Sequence, residues 1–198
     1  AIAVDGRLPP DELSIAGEPR ALAEWHDSHR YCSRCGAPTM IVDGGWRRHC
    51  GGCLKDHFPR TDPVVIMLVT HGDACLLARS PRFPGRLVSA LAGFLEPGED
   101  IEHAVAREVK EEVGLAVTAV RYLSSQPWPF PHSLMIGCLA AAGGRQLILD
   151  PVEISEAIWA DREMIRAINS GEHPDGYSLP GKFAIARSLI RHWYDHGS

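Results

Sequence analysis

The chain has 198 residues, a formal net charge of −5, and 45% hydrophobic against 23% charged residues. That is the balance of one full domain with an apolar core and a smaller appendage. The acidic balance disfavours binding to duplex nucleic acid. No leader-like segment and no apolar run near about 18 residues stands in it, so a soluble, cytoplasmic chain with no membrane partner is expected.

In chain order, residues 1–17 read as irregular, with Pro9-Pro10 and Gly17, and residues 18–29 as a short helix turning Ala21, Leu22 and Trp25 inward. The span 1–29 is expected to be a remnant of, or linker from, an upstream domain. Residues 30–60 carry two C-x-x-C pairs, and 61–198 carry the larger domain. PVVIMLVT (63–70) is a continuous apolar run of buried-strand type. A turn at His71-Gly72-Asp73 leads to a hairpin partner, ACLLARS (74–80). VSALAG (88–93) reads as a short strand, and residues 100–113 as a helix closed by Gly114 at C′. Strands are expected over 116–123 and 134–141, and helices over 162–169 and 183–195. Between the last two strands lies SQPWPFPHS (125–133), whose prolines lack a donor and fix φ, so it reads as a stiff aromatic loop outside the sheet. The order suggests an α/β (α+β) sandwich.

Cys32 and Cys35, with Cys50 and Cys53, form two knuckles beside Gly36, Gly51 and Gly52. Paired C-x-x-C turns supply four sulfurs to a tetrahedral Zn²⁺, and four thiolates leave no open position, so the zinc is structural. Two disulfides, or four unrelated thiols, are the alternatives. Cys75 and Cys138, within apolar strands, read as small buried hydrophobes.

On the 100–113 helix, Ile101, Val105, Glu108 and Glu112 share one stripe, with Glu111 at its edge. Helix rise separates Glu108 and Glu112 by about 6 Å. The two repel, face desolvation, and sit at the helix end where the macrodipole disfavours anions. A hard divalent cation, Mg²⁺ or Mn²⁺, would relieve all three penalties and commonly bridges phosphates. A solvated acidic face, or pairing with Arg107 and Lys110, is the other reading.

The preceding loop, with Gly93, Pro97 and Gly98, completes a pattern. Gly93, five residues, Glu99, seven residues, Arg107-Glu108-Val109, one residue, Glu111-Glu112, one residue and Gly114-Leu115 resemble the Nudix box at every fixed position. The resemblance implies a Nudix α/β/α sandwich with a mixed sheet, hydrolysing a nucleoside diphosphate linked to another moiety with divalent metal. It makes Glu108 and Glu112 the main Mg²⁺ or Mn²⁺ ligands, and Glu111 a further ligand or the residue that deprotonates water. The Ala92 carbonyl becomes a backbone ligand, Arg107 an orienting residue, and Glu99 the tie between loop and helix. The SQPWPFPHS stretch is similar to the signature of the NADH pyrophosphatase branch, to which the four-cysteine ribbon also points.

That branch implies NADH or NAD⁺ as substrate, cleaved to NMNH or NMN plus AMP, or the NAD cap at the 5′ end of RNA. At net charge −5 the RNA body is expected to add little affinity. Substrate contacts are implied for Gln126, Pro127, Trp128, Pro129, Phe130, Pro131, His132 and Ser133. Prolines pre-order such a loop, and a base stacked on Trp128 or Phe130 is worth about 1–3 kcal/mol. Further carry-overs are Glu153 as a metal ligand, with Glu156 as competitor, Ala186 as a backbone contact, and Phe58, which stands where a tyrosine is common. A homodimer is implied as well. The alternatives are a Nudix hydrolase of ADP-ribose or another nucleotide sugar, and a non-catalytic nucleotide sensor.

Overall fold

The computed structural model describes residues 10–197. By Cα proximity the chain divides into two units: one holds Pro63–Gln126 and Met135–Ser198, the other Leu8–Asp62 and Pro127–Leu134.

In the larger unit the long apolar run is the strand β4 (Asp62–His71). It turns at Gly72 into β5 (Ala74–Arg79), with pairing Thr70↔Cys75 and His71↔Ala74. β6 (Leu91–Phe94) pairs antiparallel with the first half of β4, from Val64↔Phe94 to Met67↔Leu91. The remaining strands are β7 (Val117–Trp128), β8 (Ser133–Ala142) and β9 (Glu156–Ala160), in the order β7-β8-β4-β5-β9. Thr70 Oγ1 donates to Ala140 O at 3.5 Å and His71 Nδ1 meets Ala142 O at 2.9 Å. Asp62 N donates to His132 O at 2.9 Å. The partners advance in the same sense, so β8 lies parallel to β4 and the sheet is mixed.

Both faces of β4 are buried, and they split by parity. Val65, Met67 and Val69 join Ala104, Val105, Val109 and Val113 of α2 (Ile101–Val113) in one core. Ile66 and Leu68 join a second core with Ile165 and Ile168 of α3 (Arg162–Ser170) and Leu189, Ile190 and Trp193 of α4 (Ile185–His196). This is the expected α/β/α sandwich.

Three sequence expectations change. Residues 10–17 are not irregular but form the first turns of α1 (Pro10–Ser28), while residues 1–9 lie outside the described residues. Gly17 and Pro19 lower the helix propensity of this stretch. A Cβ at Gly17 would stand 2.6 Å from Pro129 Cγ, so packing against the 127–134 segment explains the glycine. The aromatic-proline stretch is not outside the sheet: β7 runs through Pro127 to Trp128 and β8 restarts at Ser133. β7 is an edge strand, where a missing donor breaks no ladder bond. The third is β9, a strand that sequence reading leaves unassigned.

The smaller unit carries a sheet of β1 (Thr39–Val42), β2 (Arg47–Cys50) and β3 (Asp56–His57). Trp25 of α1 is 1% exposed. Buried Arg48 donates to Thr39 Oγ1 at 2.7 Å and Thr39 O at 3.0 Å, and lies 3.2 Å from His26 Nδ1, tying α1 to the ribbon.

Candidate functional site

Asp100 caps α2 by accepting from His103 N, and Gly114, at φ 76°, closes it. The helix is thereby held so that Glu108 and Glu112 turn inward, 8% and 5% exposed. A turn between β8 and β9 supplies the third carboxylate. Asp150 N donates to Glu112 O at 3.0 Å, and Asp150 Oδ1 accepts from Val152 N at 2.9 Å, which brings Glu153 back over the helix. Oxygens of Glu108, Glu112 and Glu153 lie within 4.8 Å of one another. Glu156 is elsewhere, bonded to Tyr177 and Arg86.

β6 supplies the floor. A Cβ at Gly93 would stand 1.9–2.2 Å from the Glu108 carboxylate, so only glycine leaves that carboxylate its place. Ala92, Gly93, Glu108, Glu112 and Glu153 line a cleft of about 510 Å³.

Arg107 fastens the rear of the site. Its Nε and Nη2 donate to both Glu99 oxygens at 2.7 and 2.9 Å, Nη1 to Glu108 at 2.8 Å and Glu111 at 3.1 Å, and Nη2 also to Phe94 O. Glu99 accepts in addition from Glu96 N at 3.0 Å, closing the loop before the helix. Glu99 and Glu112 titrate in opposite directions. The Arg107 guanidinium holds Glu99 down to about 2. Burial, then the charges of Glu108, Glu153, Asp150 and Glu111, push Glu112 up to about 8. Burial also raises Glu108, with Arg107 opposing. Glu111 has a 62% exposed side chain and stands outside the close trio.

Three converging carboxylates fit a hard divalent cation. The fit is sharpened by Glu112 Oε2, which is buried with no hydrogen-bond partner and would otherwise bear the full desolvation cost.

The four cysteine sulfurs also lie within 4.8 Å of one another, with Cys32–Cys53 at 3.6 Å and Cys35–Cys50 at 3.5 Å. Tetrahedral Zn–S bonds of 2.3 Å require sulfurs about 3.8 Å apart, so the set fits zinc and excludes disulfides at about 2.05 Å. Of the three knuckle glycines, Gly36 alone has positive φ, at 75°; the matching place after Cys53 is taken by Leu54 at φ 60°. Gly52 serves by room instead, because a Cβ there would stand 3.0 Å from Ala37 Cβ. His57 Nε2 lies 3.3 Å from Cys32 Sγ, an outer partner for that sulfur that sequence reading missed.

The loop residues separate. Gln126 donates through Nε2 to Phe183 O and accepts at Oε1 from Ile185 N, both at 2.8 Å, so its amide ties β7 to the start of α4. Ala186 follows there, 4% exposed. Trp128 and Phe130 meet edge to face at 5.3 Å, and Arg20 stacks over Phe130 while donating to Pro129 O. The Phe130–Pro131 bond is cis. Pro127, Pro129, His132 and Ser133 line a hollow of about 350 Å³. His132 Nδ1 lies 3.1 Å from Asp62 Oδ2, out of line for a hydrogen bond. Phe58 is 64% exposed. The carboxylate cleft also includes Arg82 and Phe83, which sequence reading passed over. The signal was there in PRFPG (81–85), a second aromatic set between prolines.

Curated relatives cover most of the chain. The "NAD-capped RNA hydrolase NUDT12" of Macaca fascicularis is 43% identical over 197 residues, spanning 94% of this chain and 43% of that protein. The "NAD-capped RNA hydrolase NudC" of Stutzerimonas stutzeri is 41% identical over 184 residues, spanning 93% of this chain and 63% of that protein. The chain thus spans 43% and 63% of these two relatives' length. A NUDIX hydrolase from Nitrosomonas europaea superposes with a TM-score of 0.66 at 18% identity over 84% of this chain and 90% of its own, a likeness of fold. Residues 27–58 match the NADH pyrophosphatase zinc ribbon domain. Residues 59–180 match the NUDIX domain, and with the Gly93–Leu115 box lining a carboxylate cleft the chain belongs to the Nudix family.

Proposed function

We propose that the chain hydrolyses the pyrophosphate bond of NAD⁺ or NADH to NMN or NMNH plus AMP, and removes the same dinucleotide as a cap from RNA 5′ ends. The observation that carries the chemistry is the buried Glu108–Glu112–Glu153 set opening on the cleft, with one Glu112 oxygen unpartnered. The substrate is supported by the relatives' names and by the ribbon match.

In this reading Glu108, Glu112 and Glu153, with the Ala92 carbonyl, hold Mg²⁺ or Mn²⁺. When bound, the ions neutralise diphosphate charge and make water more acidic. Arg107 opposes the effect of burial on Glu108 and aims its carboxylate by a charge-assisted hydrogen bond. Glu111, exposed beside Arg107, accepts the proton of the attacking water. The water oxygen bonds to one phosphorus, the bridging P–O bond breaks, and each product keeps one phosphate. The 125–133 stretch takes the role of receiving a flat ring on Trp128 or Phe130. Gln126 acts by holding the start of α4 rather than by touching substrate, since both ends of its amide are in use.

We further propose a homodimer, supported by exposed Met40, Ile41, Trp46, Leu54 and Phe58 on the smaller unit. A reducing, cytoplasmic setting is supported by four thiols arranged for zinc rather than for disulfides. No helix among the described residues is long and apolar enough to cross a membrane.

The test is a panel of NAD⁺, NADH, ADP-ribose and NAD-capped RNA with Mg²⁺ or Mn²⁺, products identified by mass. NMN or NMNH with AMP, and kcat/KM highest for the dinucleotides or capped RNA, supports the reading. A higher value for ADP-ribose replaces the substrate, and no turnover with a folded protein leaves the sensor reading.

A further inference from the structure

The chemistry above makes no use of the groove between α3 and α4, about 490 Å³ in volume. Its apolar lining includes Ile165, Leu179 and Ile190, with the ring of Tyr194. Around these stand four cations: Arg166 from α3, Lys182 from the α3–α4 connection, and Arg187 and Arg191 from α4. Among the lining residues Asp195 alone is acidic. The whole chain has 20 Lys and Arg against 25 Asp and Glu, so the groove lining is opposite in sign to the chain's net charge.

The cations are poorly neutralised. Arg166 reaches Glu163 at 3.5 Å and Arg191 reaches Asp195 at 3.6 Å, both pairs largely in solvent, where such contacts hold little charge in check. Arg187 donates to the neutral carbonyl oxygen of Asn169. Lys182 has no ion pair or hydrogen bond to the described residues. Arg187 and Arg191, four apart on one helix, also repel each other. Converging cations around an apolar, partly aromatic lining are complementary to a chain that alternates phosphates with flat rings. Single-stranded nucleic acid is that chemistry, with phosphates tracked by the cations and a base laid on the ring.

We propose that this groove binds the phosphodiester backbone of single-stranded RNA, as a second contact for an RNA whose 5′ end carries the dinucleotide. This rests on the capped-RNA reading of the proposed function. It also revises the expectation from net charge: the RNA body adds affinity because binding responds to the local field, not to the sum over the chain.

The test is the double variant Lys182→Gln/Arg191→Gln. Neither residue lines the carboxylate cleft. Binding of a short, uncapped, labelled single-stranded RNA is followed by fluorescence anisotropy across a salt series. Each lost phosphate contact should lower the slope of log K against log salt by about 0.7, so two should lower it by about 1.4. Affinity at low salt should fall by about tenfold or more. In turnover, kcat/KM for NAD⁺ should stay within about twofold while that for NAD-capped RNA falls about tenfold. Equal slopes for parent and variant overturn the groove, as does equal loss on NAD⁺ and capped RNA. A parent that binds a blunt RNA duplex as tightly as the single strand overturns the assignment to single strands. A parent that cleaves NAD⁺ but not capped RNA overturns the functional reading instead, and the anisotropy slope then still decides whether the groove binds RNA.

Discussion

Glu112→Gln removes one charge from the centre of the site while keeping its shape, and its effect on the metal-free protein follows from the geometry. Glu112 is 5% exposed, and its carboxyl is pushed from 4.5 to about 8 by burial and the neighbouring carboxylates. Below pH 4.5 folded and unfolded chains both hold the proton, and the position carries no penalty. Between 4.5 and about 8 the unfolded chain alone releases it, so the parent loses stability as pH rises, levelling off above about 8. At pH 7 the accumulated cost is about 3 kcal/mol, which the neutral amide does not bear. For a chain of this size that is a Tm gain of about 6–12 °C for the chelator-treated variant over the parent at pH 7. At pH 4 the gain should vanish. With Mg²⁺ or Mn²⁺ the order reverses: the parent gains Tm, the variant gains less, and kcat falls at least about 100-fold, roughly 2.7 kcal/mol of barrier. The assay is thermal unfolding from about pH 4 to about pH 9 with chelator or metal, beside kcat at saturating metal. A variant with near-parental kcat and a Tm gap that ignores pH would refute the reasoning.

Gly93→Ala should cost more than a buried alanine normally would, because its Cβ would stand 1.9–2.2 Å from the Glu108 carboxylate. A loss of kcat of at least about tenfold is expected in a folded protein, and parental kcat would show that Glu108 need not occupy that place. Cys50→Ser should empty the ribbon of zinc, read by elemental analysis under reducing conditions, while far-UV circular dichroism of the larger unit persists; full zinc occupancy in the variant would rule out the four-sulfur site. Trp128→Ala should raise KM for NADH while leaving kcat within about twofold, and an unchanged KM would reduce the ring to a packing element beside Phe130.

What was legible in the order of residues was whatever rests on short spacing. The box from Gly93 to Leu115, the two knuckles, the capped helix Ile101–Val113 and the buried strand over 63–70 all follow from local periodicity and turn chemistry. Residues within one helix or one knuckle are neighbours whatever the rest of the chain does. The choice of Glu153 over Glu156 was not of that kind. It turns on the hydrogen bond from Asp150 N to Glu112 O of α2, far back along the chain, and on the turn that Asp150 then closes on Val152, Glu153 and Ile154. The two tasks of Gln126, the packing of Gly17 on Pro129, and Pro127 inside a strand likewise depend on partners far away in sequence, and on β7 lying at a sheet edge. The groove of cations was the least legible, because Arg166, Lys182 and Arg191 are unremarkable surface residues until α3 and α4 set them around one hollow. Net charge is a sum and carries no positions; packing supplies the positions, and the local field depends on them.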